Sequence, residues 1–292
     1  MSYRIVHRTA YSYESSVSAS YGELYLLPRS SDAQTVVTAE VDIDPRPETY
    51  GERDDFFGNR AANFAVLQGH TTLTVTTTSV VDVTGRPIPA LGSGPSWESA
   101  QASLKSSLEP DVLEARQFVL DSPGVPITAA VRDYAAPSFL TGRPLVDVLW
   151  DLTTRINHDF AYKPGATDLH TTPDELLELR KGVCQDFAHL QIACLRAYGL
   201  AARYVSGYLE TIPPPGKPKL QGADVSHAWV SGFVPTIGWV DVDPTNDLFV
   251  GTRHICTAWG RDYADISPLK GVIFTEAKTN TMTVSVDVTA LP

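Results

Sequence analysis

The sequence predicts an α+β protein, with an N-terminal antiparallel β-sandwich-like or barrel-like domain followed by helices packed on a second antiparallel sheet. Three observations predict this order. Apolar and polar residues alternate through the first eighty-odd positions, helical periodicity appears between about 112 and 197, and strand-like alternation returns from residue 202. A chain of 292 residues can hold one large domain or two ordinary ones.

The N-terminal β domain is predicted over residues 1–84. Leu73, Val75, Val81 and Val83 share one face of a strand whose other face carries threonines and an aspartate. The apolar residues at positions 37, 39, 41 and 43 alternate in the same way, so we expect all four on a buried face. Proline and glycine then concentrate between residues 85 and 95, and we predict a linker over residues 85–110.

The core domain is predicted over residues 111–292, with its helices first. Apolar stripes indicate helices over 112–120 and about 145–160. Thr172 and Glu175 form a capping box with Pro173 at the first helical position, so a short helix runs to about Arg180. Gly182 breaks that helix, and a largely apolar helix begins next. Strands are expected over 202–209, around residues 227 and 239, and over 279–289, where the pairing partner of the last strand is left open.

Composition narrows the classes of partner and compartment. A net charge of −11 argues against nucleic acid or an anionic membrane as the main partner. The N-terminal residues alternate like a strand and lack the apolar core of a secretory signal, and no apolar stretch approaches a membrane span. Three cysteines without metal-type spacing fit free thiols in a reducing cytoplasm, so we predict a cytoplasmic protein.

Three residues in separate segments form a possible nucleophilic site. Cys184 stands at a predicted helix start, where free backbone N–H groups and the helix dipole favour a thiolate. His227 lies on a predicted strand and supplies a base. Asp241 and Asp243 share one face of the next strand, and spacing alone leaves both open as the acid that orients the imidazole.

The other cysteines and histidines fit structural roles better. Cys194 falls on the apolar stripe of the Cys184 helix and is expected in the core. Cys256 is expected to be a strand residue without partner chemistry. His189 points away from Cys184 on the same helix and is expected to be a core histidine, whereas His254 could line the cleft. No ligand-type residue has a close second ligand, so we predict no metal and no cofactor.

The motifs Gly-Val-Cys-Gln-Asp-Phe-Ala-His (182–189), Ser-His-Ala-Trp (226–229) and Gly-Trp followed by Asp-Pro-Thr-Asn (238–246) occur in this order. This sequence resembles the bacterial branch of the transglutaminase-like family, a resemblance that implies a papain-like core. The family motif places the triad acid directly before Pro-Thr, which selects Asp243. The resemblance also favours peptidase or amidase hydrolysis over transfer of the acyl group to an amine, which is the alternative.

The rest of the site is predicted less directly. The oxyanion site is expected to use the Cys184 backbone N–H and an upstream side chain, Tyr162 in preference to Asn157. Trp229 and Trp239 are expected to wall the cleft, with core packing as the alternative. The proline-rich segment 211–219 could shape another wall. The expected partner is a peptide or protein substrate; an alternative of another class is a non-catalytic interaction scaffold, and the sequence leaves the oligomeric state open.

Overall fold

The computed structural model describes residues 1–211, 226–276 and 279–292. The proline-rich segment therefore lies outside the described residues from residue 212 onward. Three short 3₁₀ helices, at Arg116–Val119, Ala136–Ser138 and Tyr263–Ile266, supplement the main elements. The strands are β1 Ser2–Leu24, β2 Gln34–Asp44, β3 Thr49–Asp54, β4 Arg60–Val66, β5 His70–Val83, β6 Ala161–Tyr162, β7 Lys181–Gly182, β8 Ala202–Leu209, β9 Ser226–Val234, β10 Gly238–Asp243, β11 Leu248–Phe249, β12 His254–Gly260, β13 Leu269–Thr275 and β14 Asn280–Leu291. The α-helices are α1 Trp97–Ser106, α2 Pro110–Ala115, α3 Ala129–Ala135, α4 Leu145–Asp159, α5 Pro173–Leu179 and α6 Cys184–Ala197.

A seven-stranded antiparallel sheet is organised around the long strand β1. The first half of β1 lies between β5 and β14, and its second half lies between β4 and β13. The register between β1 and β5 shifts between Ser12 and Val17, at the point where β1 passes from one half of the sheet to the other. This sheet encloses an apolar cluster that includes Val17, Leu24 and Val75.

The last two strands return to the N-terminal sheet, which answers the question that the sequence left open. β14 pairs with β1 from Ser2↔Leu291 to Tyr13↔Asn280, and β13 pairs with β1 from Val17↔Thr275 to Leu24↔Leu269. The two ends of the chain therefore share one sheet. The predicted domain boundaries at residues 84 and 110 stay predictions. Residues 269–291, which the sequence predicts as part of the core domain, belong structurally with the first eighty residues.

The second sheet has five strands in the order β11-β10-β9-β8-β12, all paired antiparallel. Helices α4 and α6 pack on one face of it. Helix α6 is buried along nearly its whole length, as expected of a central helix. Helices first and an antiparallel sheet afterwards confirm the predicted α+β class. No helix within the described residues is long and apolar enough to cross a membrane.

Two buried amides join the two sheets by binding the outer edge of β12. The side chain of Gln34 accepts from the backbone N–H of Cys256 at 2.8 Å and donates to its carbonyl oxygen at 2.7 Å. Asn59 makes the same pair of bonds with Trp259, at 2.9 and 2.8 Å. Each amide thus mimics a neighbouring strand, which satisfies an edge that would otherwise be left unpaired.

Three local expectations need correction. The predicted linker contains α1, which is capped by Ser96 and buries Ala100 and Leu104, so only its first part lacks regular structure. Val37 is 56% exposed, because a bulge between Val36 and Thr38 shifts the alternation of β2. Helix α5 ends at Leu179 because Arg180 adopts the left-handed conformation, two residues before Gly182.

Candidate active site

The thiol of Cys184 stands at the first position of α6. Asp186, in the first turn, accepts a hydrogen bond from the backbone N–H of Val183 at 2.7 Å, which fixes the entry of the chain into the helix. A Cβ at Gly182 would lie 2.7 Å from a carboxylate oxygen of Asp186 and 2.8 Å from Leu176, so this close approach requires glycine. Cys184 itself is partly exposed.

His227 on β9 lies between this thiol and the acid at the end of β10. Its Nε2 is 2.7 Å from Oδ2 of Asp243, and both side chains are buried. Because Nε2 is committed to Asp243, Nδ1 is the nitrogen left for the thiol of Cys184. Helix α6 and strands β9 and β10 carry the three residues as the sequence predicts, whereas their catalytic roles stay a prediction.

The electrostatics of the pair favour a charged imidazole beside a charged carboxylate. Burial lowers the pKa of His227, but its interactions with Asp243 and Cys184 outweigh burial and raise that pKa to about 10. Burial raises the pKa of Asp243, but hydrogen bonds from His227, His254 and Asn246 hold it well below its usual range. An imidazolium beside a thiol is the arrangement that stabilises a thiolate.

Asp243 is held by more donors than the sequence indicated. Its Oδ2 lies 3.2 Å from Nε2 of His254 and accepts from the side-chain amide of Asn246 at 2.7 Å. Its Oδ1 accepts from the backbone N–H groups of Thr245 and Asn246 at 2.9 and 3.2 Å. His254 thus contacts the predicted acid and does not merely border a cleft. A lone histidine at the start of a strand carries no spacing signal that reveals this contact.

Asp241, the alternative acid, lies elsewhere. One of its carboxylate oxygens is 3.4 Å from Nη1 of Arg86. The ring of His227 is held by Asp243 alone of the two carboxylates. The geometry therefore agrees with the choice of Asp243 that the family motif made.

Two side chains were considered as the donor of the oxyanion site. Tyr162 can still take this role, whereas the amide of Asn157 is already bonded elsewhere. Tyr162 pairs with Gly182 across the parallel strands β6 and β7, two residues before Cys184, and is 52% exposed. Burial and the nearby Cys184 raise the pKa of its hydroxyl. The amide of Asn157 is committed to the carbonyl oxygens of Pro244 and Thr245, at 3.3 and 2.8 Å.

The two tryptophans predicted as cleft walls occupy packing positions. Trp229 is only 2% exposed and contacts the ring of His254 edge-on at 5.3 Å between centroids. The ring of Trp239 lies 4.0 Å from the guanidinium of Arg203, which is stacked on its other side against Trp259 at 3.8 Å. Their role as walls of a substrate cleft stays a prediction.

The other thiols and the helix histidine have the surroundings that the sequence predicts. Cys194 is fully buried in the core, and burial raises its pKa to about 12. Burial likewise raises the pKa of Cys256 to about 12. His189 is buried and accepts a hydrogen bond from the backbone N–H of Tyr263 at 3.1 Å, so it is a satisfied core histidine.

One group of metal-type ligands occurs within the described residues, namely His227, Asp243 and His254. The sequence did not indicate it, because its members come from three strands. The Oδ2 atom of Asp243 lies 2.7 and 3.2 Å from the two histidine nitrogens. These hydrogen bonds already satisfy the facing atoms, so the group needs no ion to be stable.

Two family models match this chain. Residues 143–244 match the model of the transglutaminase-like superfamily, and residues 3–82 match that of the bacterial transglutaminase-like N-terminal region. An uncharacterized protein of Mycobacterium tuberculosis is 49% identical over 98% of this chain and 92% of its own length. An uncharacterized protein of Mycobacterium leprae is 34% identical over 99% of this chain and 98% of its own length.

Two further comparisons concern proteins with descriptive names. A protein-glutamine gamma-glutamyltransferase of Pseudomonas aeruginosa is 36% identical over 51% of this chain, which corresponds to 22% of that protein. The crystal structure of a candidate cysteine protease from Cytophaga hutchinsonii superposes with a TM-score of 0.79 at 21% identity, over all of this chain and 91% of that one, and so shares its fold. On these matches, the chain belongs to the transglutaminase-like superfamily and carries the N-terminal region of its bacterial branch.

Proposed function

We propose that the protein is a cysteine-dependent enzyme that hydrolyses amide bonds of a peptide or protein substrate. The single observation that carries the proposal is the placement of His227, which lies between the thiol at the start of α6 and the buried carboxylate of Asp243. This arrangement supplies a nucleophile, a base and the group that orients the base. The family membership of the chain supports an enzyme of this class.

In the first half of the reaction, the sulfur of Cys184 attacks the amide carbonyl carbon. The C–N bond then breaks, and the leaving amine takes a proton from the His227 imidazolium. The acyl group remains on sulfur as a thioester. The backbone N–H groups at the start of α6, which have no acceptor within the helix itself, are proposed to hold the negative charge that develops on the carbonyl oxygen, with Tyr162 as the side-chain donor beside them.

In the second half, water attacks the thioester carbonyl while His227 removes one of its protons. The thiolate of Cys184 leaves, and the product is a carboxylic acid. Asp243 remains ionised throughout, since five donors surround its two oxygens. The steps use only side chains and backbone groups of this protein, the amide and water. We place this activity in the cytoplasm, in keeping with the three free cysteines.

Transfer of the acyl group to an amine is a second candidate, which is supported by the 36% identity between half of this chain and the protein-glutamine gamma-glutamyltransferase of Pseudomonas aeruginosa. The two reactions share the thioester and differ only in what attacks it. A peptide library incubated with and without an added primary amine separates them. Free carboxylic acids in both samples support hydrolysis, whereas products that incorporate the amine in preference to water support transfer.

Alkylation of the intact protein tests whether the site is reactive at all. Iodoacetamide at about pH 6 should label Cys184 ahead of Cys194 and Cys256, because burial raises the pKa of both other thiols to about 12. Peptide mapping by mass spectrometry identifies the labelled residue, and Cys256→Ser is a matched control that should label like the wild type. Preferential labelling of Cys194 or Cys256 would contradict the proposal and favour the non-catalytic scaffold.

A further inference from the structure

We propose that His254 is a positioning residue of the candidate active site, and that water in a small cavity behind it fixes the tautomer in which it donates to Asp243. The proposal rests on the proposed function, because it assigns a role to a residue that contacts the triad acid. His254 comes from β12, the strand whose outer edge is bound by Gln34 and Asn59 of the N-terminal sheet.

The first step of the argument concerns the proton on the ring. Nε2 of His254 lies 3.2 Å from Oδ2 of Asp243, and both side chains are buried. To donate to an ionised carboxylate, this nitrogen must carry the hydrogen. A neutral ring then presents a lone pair at Nδ1, and that atom is buried with no hydrogen-bond partner among the described residues. A buried acceptor of this kind requires a donor.

The second step concerns the space beside that atom. His254 lines a cavity of about 50 Å³ between the core sheet and residues of the N-terminal part, which include Gln34 and Gly85. Three more lining residues contribute buried side-chain atoms without a partner in the described part of the chain: Nε of Arg203, Nε1 of Trp229 and Oδ1 of Asp241. The four atoms are therefore two N–H donors, one carboxylate acceptor and one imidazole acceptor.

The third step identifies the occupant by its chemistry. A small anion would face the carboxylate of Asp241 and the lone pair of His254, and a cation would face the N–H groups of Arg203 and Trp229. Water donates and accepts, so it fits both pairs of atoms. A volume of about 50 Å³ holds roughly three ordered waters, at about 15 Å³ for each.

Glycine at position 207 is required by the close approach of the ring of Trp229, which contacts the rings of His227 and His254. Gly207 on β8 pairs with His227 on one side and with Cys256 on the other. A Cβ there would lie 2.7 Å from the ring of Trp229 and 2.1 Å from the carbonyl oxygen of Ile255. The rings of His227 and His254 lie 6.0 Å apart between centroids, and both reach Asp243.

Two polar variants of similar chemistry test the proposal. In His254→Gln the amide nitrogen reaches about as far as Nε2 of histidine, whereas in His254→Asn it is one carbon too short. We expect the rate of Cys184 alkylation at about pH 6 to fall about tenfold in the asparagine variant and about twofold in the glutamine variant, since a hydrogen bond to a charged group is lost only in the former. The downfield proton resonance of the His227 ring should broaden or shift in parallel. Cys256 lines the same cavity without touching Asp243, so Cys256→Ala is the control. It should keep the wild-type rate of Cys184 alkylation and the wild-type resonance of the His227 ring.

The outcomes separate this proposal from the proposed function. If the wild-type protein fails to alkylate Cys184 selectively, the proposed function is wrong. If it does so, but glutamine and asparagine at position 254 behave alike, His254 is not a positioning residue. A high-resolution crystal structure of the full chain tests the water: a water bonded to Nδ1 of His254 is the expected result, and a dry cavity or a bound ion would overturn that part.

Discussion

The two faces of the five-stranded sheet are made by the same strands and have opposite chemistry. On the helix-covered face, Ala228, Val230 and Val234 of β9 join the main apolar core. On the other face the same strand presents His227 and Trp229, and neighbouring strands add buried charged and polar groups. Apolar burial contributes favourable free energy wherever it occurs, whereas a buried charge is costly unless it has partners. The helix-covered face therefore stabilises the fold, and the polar face supplies the proposed base and acid, whereas the proposed nucleophile comes from the start of α6.

The largest effect is expected from Asp243→Asn on the polar face. Asparagine cannot accept from His227 as a carboxylate does and favours the wrong tautomer, so turnover should fall by about 10⁴-fold. Turnover of a peptide found in the library measures this, with alkylation of Cys184 as a second readout. Asp241→Asn is the matched control on the same strand face and should retain most activity, because Asp241 does not hold the ring. Equal losses of turnover in the two variants would mean that Asp243 is no more important for activity than Asp241.

The polar face also shows where sequence reasoning stops. Cys184 and His227 could be predicted because each lies in a local pattern, a helix start or an alternating strand, whose orientation can be deduced from one segment. The strand pattern left Asp241 and Asp243 open, and only the family motif selected Asp243. His254 could not be predicted, because its contact with Asp243 depends on the sheet order, which no single segment of the sequence reveals. The pairing of β14 with β1 could not be predicted for a related reason: alternation predicts a strand but not the strand it pairs with.

The apolar face is tested by Leu149→Ala. Leu149 of α4 is fully buried, and a Cβ at Gly232 of β9 would lie 2.5 Å from it, so helix and sheet pack closely here. Loss of its side chain should lower the free energy of unfolding by about 2 to 5 kcal/mol. Urea unfolding measures the change, and Leu108→Ala, at a residue 82% exposed, should change it by less than about 0.5 kcal/mol. In native conditions the alkylation rate of Cys184 should stay the same; a parallel loss would show that the two faces are not separable.

The pH dependence of the unfolding free energy distinguishes His7 from His227, because the pKa values of these two buried histidines shift in opposite directions. Burial lowers the pKa of His7 from 6.5 to about 4, and its ring nitrogens bond the hydroxyls of Tyr208 and Thr9. Below pH 6.5 the unfolded chain takes up a proton that the folded chain refuses, so stability falls until about pH 4, by about 3 kcal/mol in total. His7→Gln should flatten the dependence of the unfolding free energy on pH in that window.

His227 provides the contrast for this measurement. Its folded-state pKa is raised to about 10, so its contribution to stability is present below pH 6.5 and is lost as the pH rises towards 10. His227→Gln should therefore weaken the protein most at neutral and acidic pH. A steeper acid slope in the His7 variant, or unchanged stability at neutral pH in the His227 variant, would contradict these assignments.

The smallest effect is expected from Tyr162→Phe, which probes a residue that belongs to neither face. Tyr162 lies on the short strand β6, opposite Gly182, and its hydroxyl is proposed to donate to the oxyanion of the reacting carbonyl. Removal of one oxyanion donor typically lowers kcat about 10²-fold, whereas alkylation by iodoacetamide forms no oxyanion. We therefore expect peptide turnover to fall by about that factor while the rate of Cys184 alkylation stays unchanged, a combination that neither Asp243→Asn nor Leu149→Ala produces. If turnover is unaffected, the backbone N–H groups at the start of α6 hold the oxyanion without Tyr162. If alkylation slows as well, the hydroxyl instead supports the thiol of Cys184.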